Sequence, residues 1–196
     1  MDRAGLFMYT GRLHEALQEV HAALSFLEPT GSRRSIANAI HVRGEILLLQ
    51  GDAAGVDDLE RVREIRSDLG DREGLAMVLT SLGRARVAQG DRATGIAHFE
   101  EAARLVEEFS YAEPGPVPAA WLASLGLRDP ASILVPSGAL PRIRAEAHAL
   151  LHRAGGGEEH VLAAREAARR LVPEDPTLAE RFWADSPIGR LLGSPG

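Results

Sequence analysis

Gln50-Gly51-Asp52 and Gln89-Gly90-Asp91 are one tripeptide written twice, 39 residues apart. The recurrence extends on both sides of it. Gly44 and Gly83 each stand seven residues before the Gly-Asp pair, Ile36-Ala37 matches Leu75-Ala76, and Ile40 matches Leu79. Gly31 and Gly70 repeat the same step half a period out, and Gly11-Arg12 stands 40 residues before Gly51. Each unit therefore carries two turn signals about 20 residues apart, with a helix-length segment between them.

Both kinds of segment have helical patterning. Ser35–Gln50 and Gly74–Gln89 are rich in Ala, Leu, Ile and Val at three- and four-residue spacing. Arg12–Leu27, Ala53–Leu69 and Arg92–Phe109 have apolar stripes and charged outer faces; Ala16, Val20, Ala23 and Leu27 share one side of the first. Asp52 and Asp91 fall at helix starts, where a carboxylate accepts free amide hydrogens and favours the helix dipole. Gly44 and Gly83 let two helices approach closely. A helix pair of this kind cannot bury its apolar face alone, so stacking on neighbours must stabilise it. The predicted fold is all-α, an α-solenoid of antiparallel helix hairpins.

The pattern resembles tetratricopeptide repeats (TPR) in a longer bacterial form. Gly83, Gly90-Asp91, Gly95, Phe99 and Ala102 follow the motif in order. Gly44, Gly51-Asp52, Gly55, Leu59 and Val62 follow it with one residue deleted after the turn, and Gly11, Ala16, Val20 and Ala23 match the second helix of an earlier unit. Arg43 stands where the motif has a buried aliphatic, and Arg86 where it has an aromatic. The resemblance implies a protein-binding groove. Its lining on the first helices is Asn38, His41, Glu45 and Leu48, then Met77, Thr80, Arg84 and Val87. Polar residues among Leu, Met and Val suit a peptide or helix held by a few anchors and charge pairs.

Beyond residue 110 the character changes. One proline, Pro29, precedes that point and ten follow it. Glu113-Pro114-Gly115-Pro116-Val117-Pro118 ends the regular array, because each proline denies a helix an amide hydrogen. A short helix is expected over Ala119–Leu127, an irregular stretch with a partial turn over Asp129–Pro141, and a hairpin of Arg142–Arg153 and Glu158–Leu171 around three glycines. Thr177–Ala184 and Pro187–Leu192 then form a cap carrying Phe182, Trp183, Leu191 and Leu192. Trp121-Leu122-Ala123-Ser124-Leu125-Gly126, Arg144-Ala145-Glu146-Ala147-His148 and Phe182-Trp183-Ala184-Asp185-Ser186-Pro187 resemble the C-terminal TPR region of large bacterial signalling proteins with a kinase, cyclase or NTPase module. The expected divisions are 1–110 for TPR-like repeats, 111–142 for a Pro-rich degenerate repeat, and 143–196 for the hairpin and cap. Counting back from Gly11, residue 1 falls inside a first helix, so a truncated first repeat and a piece of a larger protein are expected.

Composition narrows the chemistry. Among 196 residues there is no cysteine, which excludes disulfides, thiolate nucleophiles and Cys-based metal sites. All 22 basic residues are arginines, which excludes a Walker A lysine and a Schiff-base lysine. A net charge of -6 speaks against a nucleic-acid surface. No apolar run nears the roughly 18 residues of a membrane span, and Met1-Asp2-Arg3-Ala4-Gly5 opens no secretory signal, so the expected compartment is the cytoplasm.

The remaining motifs are weaker. His148 and His152 are spaced to share a metal, yet Ala149-Leu150-Leu151 between them lacks a zinc-protease glutamate, so two positions on one helix face are the plainer reading. Gly155-Gly156-Gly157 follows no strand and precedes Glu158-Glu159, which would repel phosphate. The sequence thus predicts a non-enzymatic protein-interaction module without a cofactor, a scaffold or regulatory sensor whose partner is a protein, peptide or domain of the same parent. The alternative is a purely structural solenoid fragment with no ligand, which an exposed apolar face at Leu6, Phe7 and Leu13 would favour.

Overall fold

The computed structural model describes Ala4, Phe7, Met8 and residues 10–110 and 114–192. Helix α1 spans Leu13–Leu27, α2 Arg33–Leu49, α3 Ala54–Asp68, α4 Arg72–Ala88 and α5 Arg92–Phe109. They are followed by α6 over Val117–Ser124, α7 over Pro141–Arg153, α8 over Glu158–Arg169, α9 over Pro176–Asp185 and α10 over Pro187–Leu192. No strand occurs among the described residues.

Helices pack in adjacent pairs, as in an all-α helical repeat. The most extensive packing joins α2 to α3, α4 to α5 and α7 to α8, and neighbouring pairs meet through α3 with α4. In addition α2 touches α4, so equivalent first helices lie side by side. At the far end α10 turns back against α7 and α8.

The two matched tripeptides end α2 and α4 as turns, with Gly51 and Gly90 in the left-handed region at φ 81° and 87°. Seven residues earlier the glycines serve contact instead. A Cβ on Gly44 would lie 2.9 Å from the Gly55 carbonyl oxygen, and one on Gly83 would lie 2.6 Å from the Phe99 ring. Each hairpin is thus closed to near backbone contact, over a fully buried Leu59 in one and Phe99 in the other. Burying such a side chain contributes roughly 1.5–3 kcal/mol, more than the ~1 kcal/mol of a helix cap. Packing therefore positions these helices, and the caps trim their ends.

The caps shift several boundaries. Asp71 accepts from Gly74 N (3.2 Å), so α4 starts at Arg72 rather than at the expected Gly74. Asp91 accepts from Thr94 N (3.2 Å) as a true cap of α5. Asp52 accepts from Ala54 N (2.9 Å) but sits one residue outside the cap of α3, where this copy of the motif is one residue shorter than the one at Asp91. The short helix starts at Val117 rather than Ala119, because Pro118 occupies its first turn, where no amide hydrogen is needed.

Arg43 and Arg86, the two departures from the motif, both face carboxylates on α3. Arg43 grips Asp58 with Nε and Nη2 (2.7 and 2.6 Å), which raises its pKa, and Arg86 reaches Glu60 at 3.1 Å. Phe182 is fully buried with Ala145, Ala167, Ala168 and Ile188, and meets Trp183 edge-on at 5.2 Å, so the cap closes over α7 and α8. Phe7 and Leu13 pack against the core of α1 to α4 and are not an open apolar face; Leu6 lies outside the described residues.

Candidate binding site

The facing sides of α2 and α4 carry a chain of polar side chains that runs from Arg66 on α3 to Trp121 on α6. Arg66 sits one turn after Val62 on the stripe Leu59, Val62, Arg66, and so is directed inward, only 4% exposed. Its Nη2 donates to Asn38 Oδ1 (3.0 Å) and to His41 Nδ1 (3.3 Å). That contact fixes the His41 tautomer, since Nδ1 must accept and Nε2 must carry the hydrogen. Nε2 then donates to Ser81 Oγ (3.0 Å), and Ser81 donates in turn to Glu45 Oε1 (2.7 Å).

Glu45 is held from the other side by Arg84 Nη2 at 2.5 Å. Arg84 extends the row to Glu146 on α7 (3.4 Å), which also accepts from Trp121 Nε1 (3.2 Å). Trp121 lies flat on Phe99, with ring centroids 5.3 Å apart. The polar row is thereby tied to the apolar contact beneath Gly83.

Burial and charge set the protonation states. Burial pushes His41 down to about 4, a trend that Glu45 opposes and Arg66 and Arg84 reinforce, so the ring is neutral at pH 7. Burial alone would raise the Glu45 pKa, but Arg84, His41 and the Ser81 hydroxyl outweigh it and hold it at about 2. Burial also lowers the Arg66 pKa, against the opposing pull of Asp71.

A serine, a histidine and a glutamate in contact invite comparison with a hydrolytic triad, and the proton directions decide against one here. Activation requires the histidine to accept the serine proton. In this row His41 donates to Ser81, and the serine proton points at Glu45. Ser81 is also 3% exposed. The row as it stands leaves the Ser81 hydroxyl unactivated and joins α2, α3 and α4 to one another.

At its α2 end the row opens into a cavity of about 340 Å³ lined by Arg34, Asn38, His41, Arg66, Asp71 and Met77, with Val42, Glu73 and Gly74. Arg34 pairs with Asp71 Oδ2 at 3.1 Å across its mouth. A Cβ on Gly74 would collide with Arg66 Nη1, so the arginine holds this position over a residue without a side chain.

The eight residues expected to line the groove divide into three sets. Asn38, His41 and Met77 reach the cavity. Glu45 and Arg84 pair with each other, while Thr80 is buried and donates to the Ala76 carbonyl (2.8 Å). Leu48 and Val87 pack at the hairpin contacts, close to Gly55 and Gly95 respectively. Sequence reasoning missed Arg66, Ser81 and Asp71; the readable signal was an arginine on an otherwise apolar stripe of α3.

His148 meets His160 across α7 and α8, with the two Nδ1 atoms 2.9 Å apart, while His152 is exposed. No group of three metal-ligating side chains occurs among the described residues. No helix among them is long and apolar enough to cross a membrane. No protein-family model, curated protein or solved structure matches the chain.

Proposed function

We propose that this chain is a non-catalytic, TPR-like solenoid module that binds a segment of another protein across the facing sides of α2 and α4. It would serve as a scaffold or regulatory sensor in a bacterial signalling protein, with the partner in the same polypeptide or another. The supporting observation is the cavity itself. It lies between two equivalent helices of successive pairs and combines a half-buried Met77 and Val42 with Asn38 and two arginines. Six of its nine lining residues are polar or charged and only Val42 and Met77 are large and apolar, a lining that suits a polar segment with one or two apolar anchors.

A second reading, a spacer without a ligand, has its own support. Glu45, Arg84 and Glu146 are joined to one another, so the middle of the row is already satisfied from within. Selection from a random peptide display library on the immobilised chain separates the two. The module reading predicts enriched peptides whose affinity falls at least tenfold for Met77→Glu. Absence of enrichment over an unrelated helical protein, or enrichment indifferent to Met77→Glu, would establish the spacer reading instead.

A further inference from the structure

We propose that His148 and His160 form a proton-operated latch on the α7–α8 hairpin, closed while one ring donates to the other and released when both are cations. The latch lies away from the binding face on α2 and α4 and stands or falls independently of it.

The geometry of the pair carries the case. Both rings are half-buried and meet across the hairpin with their Nδ1 atoms 2.9 Å apart. The ring centroids are 5.1 Å apart. That is close to the nitrogen separation plus one ring breadth, so the rings meet head to head. Two like nitrogens this close need a hydrogen between them, one donating and one accepting. A metal ion does not fit between them, because each metal–nitrogen bond needs about 2.0–2.1 Å. The adjoining glycine turn closes onto the same rings. A Cβ on Gly156 would lie 2.5 Å from His160 Cδ2 and 2.8 Å from the Leu151 carbonyl oxygen. A ring that moves therefore disturbs the turn.

The two protons the pair can take up have opposite effects. The donating ring receives the first on its free Nε2, and the resulting imidazolium donates more strongly than before. The second must enter the accepting Nδ1, which removes the acceptor and sets two cations in contact. Burial, then His160 and Arg144, lower the His148 pKa from 6.5, which marks His148 as the accepting ring. The closed pair thus refuses a proton that an open hairpin accepts. Its stabilisation is complete above pH 6.5 and falls as pH drops below that value.

No neighbouring carboxylate is placed to neutralise the second charge. Glu146, also on α7, is engaged by Arg84 and Trp121. Helix α6 carries no titratable side chain, and α10 carries only the exposed Arg190. Before α7, Arg128 and Asp129 bond Glu107 and the Ala131 amide. His152 on α7, Glu158 and Glu159 on α8, and Glu180 and Arg181 on α9 are exposed, where water and salt screen them. Because α10 packs on both α7 and α8, opening the hairpin loosens the cap as well.

Hydrogen exchange followed by mass spectrometry on the full chain tests this, for wild type and His148→Asn at pH 7, 6 and 5, corrected for chemical exchange. Asparagine sets an oxygen near the place of Nδ1, accepts the same hydrogen bond and takes up no proton. Between pH 7 and pH 5 the amides of 155–162 in wild type should lose about tenfold to thirtyfold more protection than in the variant, the factor for one proton refused from pH 6.5 to 5. The amides of α4 and α5 should change equally in the two proteins. Equal losses over 155–162 overturn the latch. A difference of the same size in α4 and α5 means that the pair stabilises the whole chain, and overturns release of the hairpin. A second measurement needs no variant: followed by carbon-13 shifts of the rings in wild type, the pair should take up its two protons in steps at least about one pH unit apart. Uptake by both rings in a single step overturns the proposal.

Discussion

Replacing His41 with glutamine should flatten the acid side of the stability curve, and the size of the change follows from the site. His41 is 7% exposed and held neutral between the Arg66 donor and the Ser81 acceptor. Its pKa is about 4 in the folded chain, against an ordinary 6.5. Between those values the unfolded chain takes up a proton that the folded chain refuses, so stability falls as pH drops below 6.5 and stops falling near 4. From pH 7 to pH 5 the loss from this one group is about 2 kcal/mol. Above pH 5 the Glu45 contribution is intact. Its pKa is depressed to about 2, so its stabilisation is lost only as pH falls through 4.5 toward 2. The assay is urea unfolding followed by circular dichroism at pH 7, 6 and 5, for wild type and His41→Gln. His98 and His148, also depressed chiefly by burial, contribute equally to both proteins and cancel in the comparison. Wild type should lose about 2 kcal/mol more than the variant over that interval. Equal losses would refute the buried, neutral His41 on which the polar row depends.

Two further substitutions probe the frame that holds the site. Gly83→Ala places a methyl group 2.6 Å from the fully buried Phe99 ring; an overpacking cost of up to about 3 kcal/mol, less the roughly 1 kcal/mol gained in helix propensity, leaves a net loss of about 2. A thermal melt showing Gly83→Ala as stable as wild type would mean that α4 and α5 are not in close contact there. Phe182→Ala empties a fully buried position in the cap and should cost about 3–5 kcal/mol, read by chemical denaturation; a loss below about 1 kcal/mol would show that α9 does not close over α7 and α8.

Much of the helical frame was legible because one physical requirement repeats. Turn glycines and close-approach glycines recur 39 residues apart and the buried Leu59 and Phe99 40 apart, and a helix hairpin admits few other arrangements. The polar row was only half legible. A family pattern placed Asn38, His41 and Met77 on one face, but a pattern of exposed positions gives no hint that a side chain from α3 passes beneath them. Arg66 lies where a Cβ on Gly74, on the next helix, would displace it, and that contact joins residues with no sequence periodicity in common. Glu45 and Arg84, each plausible as a partner contact, lie 39 positions apart on equivalent helices and therefore face each other. The same spacing that revealed the repeat brought their charges together.

That pairing also determines how the face should be probed. Exchanging the charges, Glu45→Arg with Arg84→Glu, would restore the pair to each other while setting a carboxylate against Glu146, so loss of binding would have two causes. The most direct test leaves the row intact. Backbone amide shifts of the labelled chain, recorded with and without the tightest peptide from the display selection, should move along α2 and α4 around Asn38 and Met77 and at Arg66, with α7 to α10 unchanged. Shifts confined to the cap, or scattered over the outer faces of α3 and α5, would contradict a binding site on the facing sides of α2 and α4.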